Sequence, residues 1–169
     1  MLGPAPVVDF DGTLAHLPVA WDDLRGRLHV ERIDEIWRSG DADKWAIVRD
    51  AEVDAAQRAS PIEPVRAILE QSTAFAVLSS NSELAISTFL KRFGVLESRT
   101  AIVVGRESLA GPKRDYAVFA RGLARCVDAT ASARADDGVV YVGDTDWELE
   151  FARRLGAHAV DVEDLSPSS

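Results

Sequence analysis

The sequence has very little cysteine and very little lysine. Its single cysteine, Cys126, excludes an internal disulfide framework and is compatible with a reducing cytoplasm. Cys126 falls in GLARCVDA, a helical setting where a buried structural thiol is expected rather than a nucleophile. Among 19 cationic side chains only three are lysines, so a lysine beside other reactive residue types draws attention. No apolar run exceeds a few residues, which excludes a membrane span. The start lacks a basic segment followed by an apolar one, so no secretory signal is visible. Cations are also outnumbered, 19 against 28 acids for a net charge of −9. That balance argues against nucleic acid or an anionic membrane as the partner.

What is present is a globular composition, 47% hydrophobic over 169 residues, enough for one domain with a core and a small inserted lobe. Five short runs rich in valine or isoleucine recur: PVVDF (6–10), FAVLSS (75–80), TAIVVG (100–105), VVYVG (139–143) and AHAVDV (157–162). Apart from the first gap, helical patterns separate them. Such alternation predicts βαβ units and a doubly wound α/β fold with a parallel sheet covered on both faces.

Several helix signals support this. Ser60-Pro61-Ile62-Glu63 reads as a capping box with proline at the first helical position, followed by a stripe of Ile62, Val65 and Leu69. Ser80 to Glu83 offers a second start, with Leu84, Thr88 and Phe89 on one side and Gly94 as a stop. Tyr116, Phe119, Ala120 and Leu123 form a third stripe, and Leu149, Ala152 and Leu155, ended by Gly156, a fourth. Residues 128–138 read as a loop.

Residues 15–59 carry no strand pattern. Trp21, Leu24 and Leu28 suggest one short helix, and Ile33, Ile36 and Trp37, stopped by Gly40, a second. Trp45, Val48 and Ala55, with Asp41 as cap, suggest a third. The expected organisation is therefore a core of residues 1–14 and 60–169 with a small helical cap, 15–59, inserted after strand one. Its three tryptophans are expected to form the cap's own small core.

Chemistry-bearing residues gather at predicted strand ends. In a strand, positions i and i+2 point the same way, so Asp9 and Asp11 of VVDFDGT can share a site. FAVLSS ends in the hydroxyls of Ser79 and Ser80, and VVYVG is followed by Asp144, Asp146 and Glu148. Lys113 lies just before a predicted helix. Ligands of open parallel sheets bind at the carboxyl ends of strands, near the point where strand order reverses. Carboxylates, hydroxyls and a cation gathered there are the kit needed to hold Mg²⁺ and a phosphate together. A calcium loop is excluded, because its fifth, sixth and twelfth positions would be Thr13, Leu14 and Ala20. A hairpin turn at Asp11-Gly12 lacks a good second strand in LAHLPVAW. His16 is expected on a surface loop, with a substrate contact as the other reading.

These residues resemble the four motifs of the haloacid dehalogenase-like (HAD) superfamily, in order, across residues 6–156. DFDGTL is similar to the first, Ser79 to the second, Lys113 to the third and GDTDWE to the fourth. The sequence departs from the pattern in two places: Pro112 precedes Lys113 where Lys-Pro is usual, and the last acid is Glu148 rather than aspartate. The resemblance implies a Mg²⁺-dependent phosphatase of the phosphoglycolate phosphatase-like kind, acting on a small phosphorylated metabolite. It assigns Asp9 as nucleophile and Asp11 as acid and base. Mg²⁺ would be held by the Asp9 carboxylate, the backbone carbonyl of Asp11 and Asp144. Ser79, with backbone amides near Gly12 and Ser80, would hold phosphoryl oxygens. Lys113 would balance charge, and Glu148, or its competitor Asp146, would support it. A sugar-phosphate mutase of the same fold and a non-catalytic phospho-ligand or protein-binding module are the alternatives.

Overall fold

Val7 and Val8, the two residues of the first strand, are both buried and face opposite sides of a sheet. That is the period-2 signature of a strand covered on both faces. The computed structural model describes residues 5–134 and 138–165. In chain order β1 (Val7–Val8) is followed by β2 (Ala15–His16), α1 (Trp21–Leu28), α2 (Ile36–Ser39), α3 (Ala42–Arg58) and β3 (Ser60–Pro61). Next come α4 (Glu63–Gln71), β4 (Phe75–Leu78), α5 (Glu83–Lys91), α6 (Gly94–Arg99) and β5 (Thr100–Val104). The chain closes with α7 (Tyr116–Ala129), β6 (Val140–Gly143), α8 (Asp146–Arg154) and β7 (His158–Asp161).

Five strands form one parallel sheet in the order β5-β4-β1-β6-β7. On one face Val8, Phe75, Val77 and Val142 pack against α4, α5 and α6. On the other, Val7, Ala76, Leu78 and Tyr141 pack against α7 and α8. This is the doubly wound α/β architecture, with β1 at its centre. The chain winds from β1 toward β5 and then returns to lay down β6 and β7 on the other side. The reversal opens a crevice at the carboxyl ends of β1 and β6, where such sheets bind ligands.

Several local expectations are corrected. Ser60-Pro61 does not cap a helix. It forms β3, which pairs antiparallel with β2, Ala15 opposite Pro61 and His16 opposite Ser60. The Ile62 amide donates to the Leu14 carbonyl at 2.9 Å, which holds this stretch extended. A proline without an N–H is tolerated in so short a ribbon. α4 starts at Glu63, and Pro64 takes the early helical position where a missing donor costs nothing. Residues 15 and 16, placed in a strand-free segment by pattern alone, belong to the same ribbon.

Gly94 does not simply stop α5; after Arg92 and Phe93 it opens α6. Leu84 is exposed, and α5 instead buries Ala85, Ile86, Phe89 and Leu90. Leu155, at the end of α8, is also exposed, because the helix ends at Arg154. The loop expected over 128–138 begins later, as α7 runs to Ala129 and a single 3₁₀ turn follows at Ala131–Ala133. Residues 135–137 of that stretch lie outside the described residues.

Between β2 and β3 the three expected helices are present. Asp41 caps α3 by accepting from the Asp43 and Lys44 amides at 3.1 and 3.0 Å. Gly40 ends α2 in the left-handed conformation that favours glycine. The buried centre of the small core here is Leu24, Leu28, Ile36 and Val48; Trp21 and Trp45 pack against it half-buried, and Trp37 stands outside it. Cys126 is buried as expected. Among the described residues no helix is long and apolar enough to cross a membrane.

Candidate active site

Phe10, between the two aspartates of the first motif, drives into the core and meets Phe89 edge-to-face at 5.4 Å. Alternation then turns Asp9 and Asp11 the other way, into the crevice. The Phe10 carbonyl accepts from the Leu14 and Ala15 amides at 2.9 and 3.0 Å, folding Asp-Gly-Thr into a tight turn directly after β1. Gly12 sits at φ +82°, and a Cβ there would lie 2.1 Å from Asp144 Oδ2. Only glycine lets this turn and the end of β6 approach so closely. The Gly12 amide itself donates to the Ala15 carbonyl at 2.9 Å, so its visible contribution is space for Asp144.

Lys113 comes from the segment before α7, which starts where Asp115 caps the Ala117 and Val118 amides. Despite the inverted Pro-Lys order, Lys113 is 3% exposed, and its ammonium donates to Asp9 Oδ1 at 2.7 Å and to Glu148 Oε1. Burial disfavours its charge, but the carboxylates of Asp9 and Glu148 outweigh that and hold its pKa above the ordinary lysine range. Glu148 is buried on the first turn of α8, and burial with the nearby Asp9 raises its pKa against the pull of Lys113. Asp146 is exposed on the same turn, away from Lys113.

Asp11 accepts from the Leu17 amide at 3.1 Å. Burial pushes its pKa up to about 6, with Asp9 and Asp144 adding to the effect and the Leu17 amide and Trp21 indole opposing it. Asp144 is also raised, by burial and then by Asp9. Ser79 is buried at the end of β4 and donates to Asn81 Oδ1 at 2.9 Å, while the Ser80 carbonyl accepts from Arg106 at 3.2 Å. His16 is exposed on β2.

Asp9, Asp144 and Glu148 each bring a carboxylate oxygen to within 4.8 Å of the others. Crowded acids with hard oxygens, two of them with raised pKa, are a donor set that fits a hard divalent cation. Lys113 engages one oxygen each of Asp9 and Glu148, and the second Glu148 oxygen is buried without a hydrogen-bond partner.

Pattern reading missed a second layer. Glu52 of α3, 1% exposed, receives Arg106 through Nη2 at 2.6 Å and Nη1 at 3.0 Å. It also accepts from Asn81 Nδ2 at 3.0 Å and the Ser82 amide at 3.1 Å. This tie fixes the loop that carries Ser79. The sequence offered only a weak signal for it, an acid at a helix position that is otherwise core. All four tryptophans, Trp21, Trp37, Trp45 and Trp147, line the cavity of about 500 Å³ above Asp9 and Asp11.

No protein-family model matches the sequence, and neither does any curated protein. Solved structures do match. A proposed phosphoglycolate phosphatase from Lactobacillus plantarum superposes with TM-score 0.71 at 12% identity, over 96% of this chain and 87% of that one. CbbY from Rhodobacter sphaeroides, solved in complex with phosphate, gives 0.65 at 18% identity over 99% and 88%. A haloacid dehalogenase-like hydrolase from Streptococcus pneumoniae gives 0.61 at 15% over 99% and 92%. The fold is that of the HAD-superfamily hydrolases. At such identities the HAD-like fold survives in the packing of the sheet, while the sequence signal is reduced to a few strand-end residues.

Proposed function

We propose that this HAD-like protein is a Mg²⁺-dependent phosphatase that hydrolyses a small phosphorylated metabolite through an aspartyl-phosphate on Asp9. The observation that carries the reading is a pair of unequal carboxylates at one strand end. Asp9 is bonded to a buried lysine, and Asp11 is held near pKa 6.

With Oδ1 held by Lys113, Asp9 has Oδ2 to attack phosphorus. As the Oδ2–P bond forms and the P–O bond to the leaving group breaks, Asp11 gives its proton to the departing oxygen. Asp11, now ionised, takes a proton from water that attacks the aspartyl-phosphate, releasing phosphate and restoring both aspartates. In this reading Ser79 turns its hydroxyl from Asn81 to bond a phosphoryl oxygen, and Lys113 offsets the charge gathered on Asp9 and phosphate. Mg²⁺, held by the Asp9 carboxylate, the Asp11 carbonyl and Asp144, would supply the neutralisation that lets two anions meet. Glu148 keeps Lys113 in place. Residues 15–59 form the cap over the site in this reading, excluding water and contacting the leaving group.

The test is phosphate release from a panel of phosphate esters, with and without Mg²⁺, by wild type and Asp9→Asn. Release that needs both Mg²⁺ and Asp9 is expected. Release undiminished in Asp9→Asn, or none from any ester, overturns the reading. Conversion of a sugar 1-phosphate to its 6-phosphate without free phosphate would point to a mutase instead.

A further inference from the structure

We infer that the leaving group of the substrate carries a flat aromatic or heteroaromatic ring, recognised by the tryptophans of residues 15–59. This rests on the phosphatase reading and adds a substrate class to it.

The first observation is that these tryptophans are not needed as core. Leu24, Leu28, Ile36 and Val48 are each at most 3% exposed and supply the interior of the helical segment. Trp21 and Trp45 rest on that interior from the side. Trp37 belongs to none of the hydrophobic cores among the described residues. Its aromatic neighbour is Trp45, edge-to-face at 5.4 Å, and both line the cavity half-buried. Large rings left partly open inside a concave site, Trp37 outside every such core, are the usual contact surface for an apolar ligand.

The second observation is where the aromatic wall begins. Trp21 opens α1 and lines the same cavity as Asp11, the group that hands a proton to the leaving oxygen. The leaving group therefore emerges next to an indole. Further out, Arg106 stands 4.5 Å over the Trp45 ring, fixed there by Glu52, so that face of Trp45 is covered. Trp37 is left as the open ring.

The third observation concerns size. A cavity of about 500 Å³ lies in the range that encloses drug-sized ligands, whereas a two-carbon ester would leave most of it to water.

The experiment compares kcat/KM of the Mg²⁺-loaded wild type for matched esters. Nucleoside 5′-monophosphates are set against ribose 5-phosphate, which keeps the same phosphoester without the base. Benzyl phosphate is set against cyclohexylmethyl phosphate, which keeps the size without the flatness. Ring-bearing esters are expected to be favoured at least about tenfold, the scale of one aromatic stack. Trp37→Ala should bring that ratio toward one without moving Tm. Equal use of ring-bearing and ring-free esters, or a ratio unmoved in Trp37→Ala, overturns the inference while leaving the phosphatase reading intact. Calorimetric binding of the same pairs to Asp9→Asn repeats the comparison without turnover. Ring-dependent binding with no hydrolysis of any ester by wild type would sink the phosphatase reading and keep the ring site. Absence of both removes both.

Discussion

Glu52 and Arg106, 54 positions apart, meet in a two-pronged ion pair that is buried on both sides. Through Asn81 and Ser82 the same carboxylate also reaches the loop carrying Ser79, so one side chain ties α3 to the end of β4. Removing one partner of a buried pair leaves the other charge without solvent or counter-ion. Glu52→Ala should therefore lower stability by about 3–5 kcal/mol in denaturant unfolding, whereas Glu52→Met with Arg106→Met should recover most of the loss. A double variant as unstable as the single one would show that the hydrogen bonds to Asn81 and Ser82 dominate instead.

The crowded acids make stability depend on pH in a definite direction. Asp11 has a folded pKa of about 6 against an ordinary 3.8, so the fold favours its protonated form. Its contribution is fully present below pH ~4 and is lost as pH rises through 6. Asp144 and Glu148 are raised too and act in the same sense. In chelator-treated protein, Asp11→Asn should be more stable than wild type at pH 7 and lose that advantage by pH 4. Unfolding curves at the two pH values check it, and an advantage that does not change with pH would contradict the burial of Asp11.

Mg²⁺ should reverse this penalty. An ion at 100 times its Kd stabilises by about 2.7 kcal/mol, so Tm of wild type should rise on titration with Mg²⁺. Asp144→Asn keeps the shape of the side chain and removes its charge, and the rise should largely vanish. A full rise in that variant would place the ion elsewhere.

At Gly12 any side chain faces two obstacles at once, φ +82° and the Asp144 carboxylate at 2.1 Å from the Cβ position. Gly12→Ala should cost more than ~1 kcal/mol in unfolding and should also blunt the Mg²⁺-dependent rise in Tm by displacing Asp144. A stable variant with the full Mg²⁺ response would mean that the turn relaxes freely.

Cys126 should be silent in the native protein. Its thiol is buried and pushed up to about 12, chiefly by burial. A thiol reagent should label it only as fast as the chain unfolds. Labelling of the folded protein at the rate of a free thiol would contradict this.

The position of the sheet strands along the chain, the covering of both sheet faces and the spread of acids over strand ends were legible because period-2 alternation and the i, i+2 rule act locally; the order of the strands in the sheet was not. Asp9 and Asp11 share a crevice for a reason contained in three residues: Phe10 is apolar and must face the core. Lys113 was harder, since its Pro-Lys order departs from the motif. What brings it to Asp9 is the packing of α7 on β1 and β4, with Glu148 waiting on α8. Glu148 rather than Asp146 meets Lys113 because the first turn of α8 buries one and exposes the other, a matter of helix phase against the sheet.

Ser60-Pro61 misled because a capping box and a short edge strand use the same residue types, and only the distant partner Ala15–His16 separates them. The tryptophans misled in the same way. Large apolar side chains read as core wherever they fall, and whether they fill an interior or line a cavity depends on what else occupies that interior. Leu24, Leu28, Ile36 and Val48 occupy it, Trp21 and Trp45 rest on it from the side, and the indoles also line the open site. Sequence by itself determined which residues can do chemistry here, because reactivity belongs to side chains. Tertiary structure alone decided which of them meet, because burial, charge pairing and the shape of the cavity are set by segments far apart in the chain.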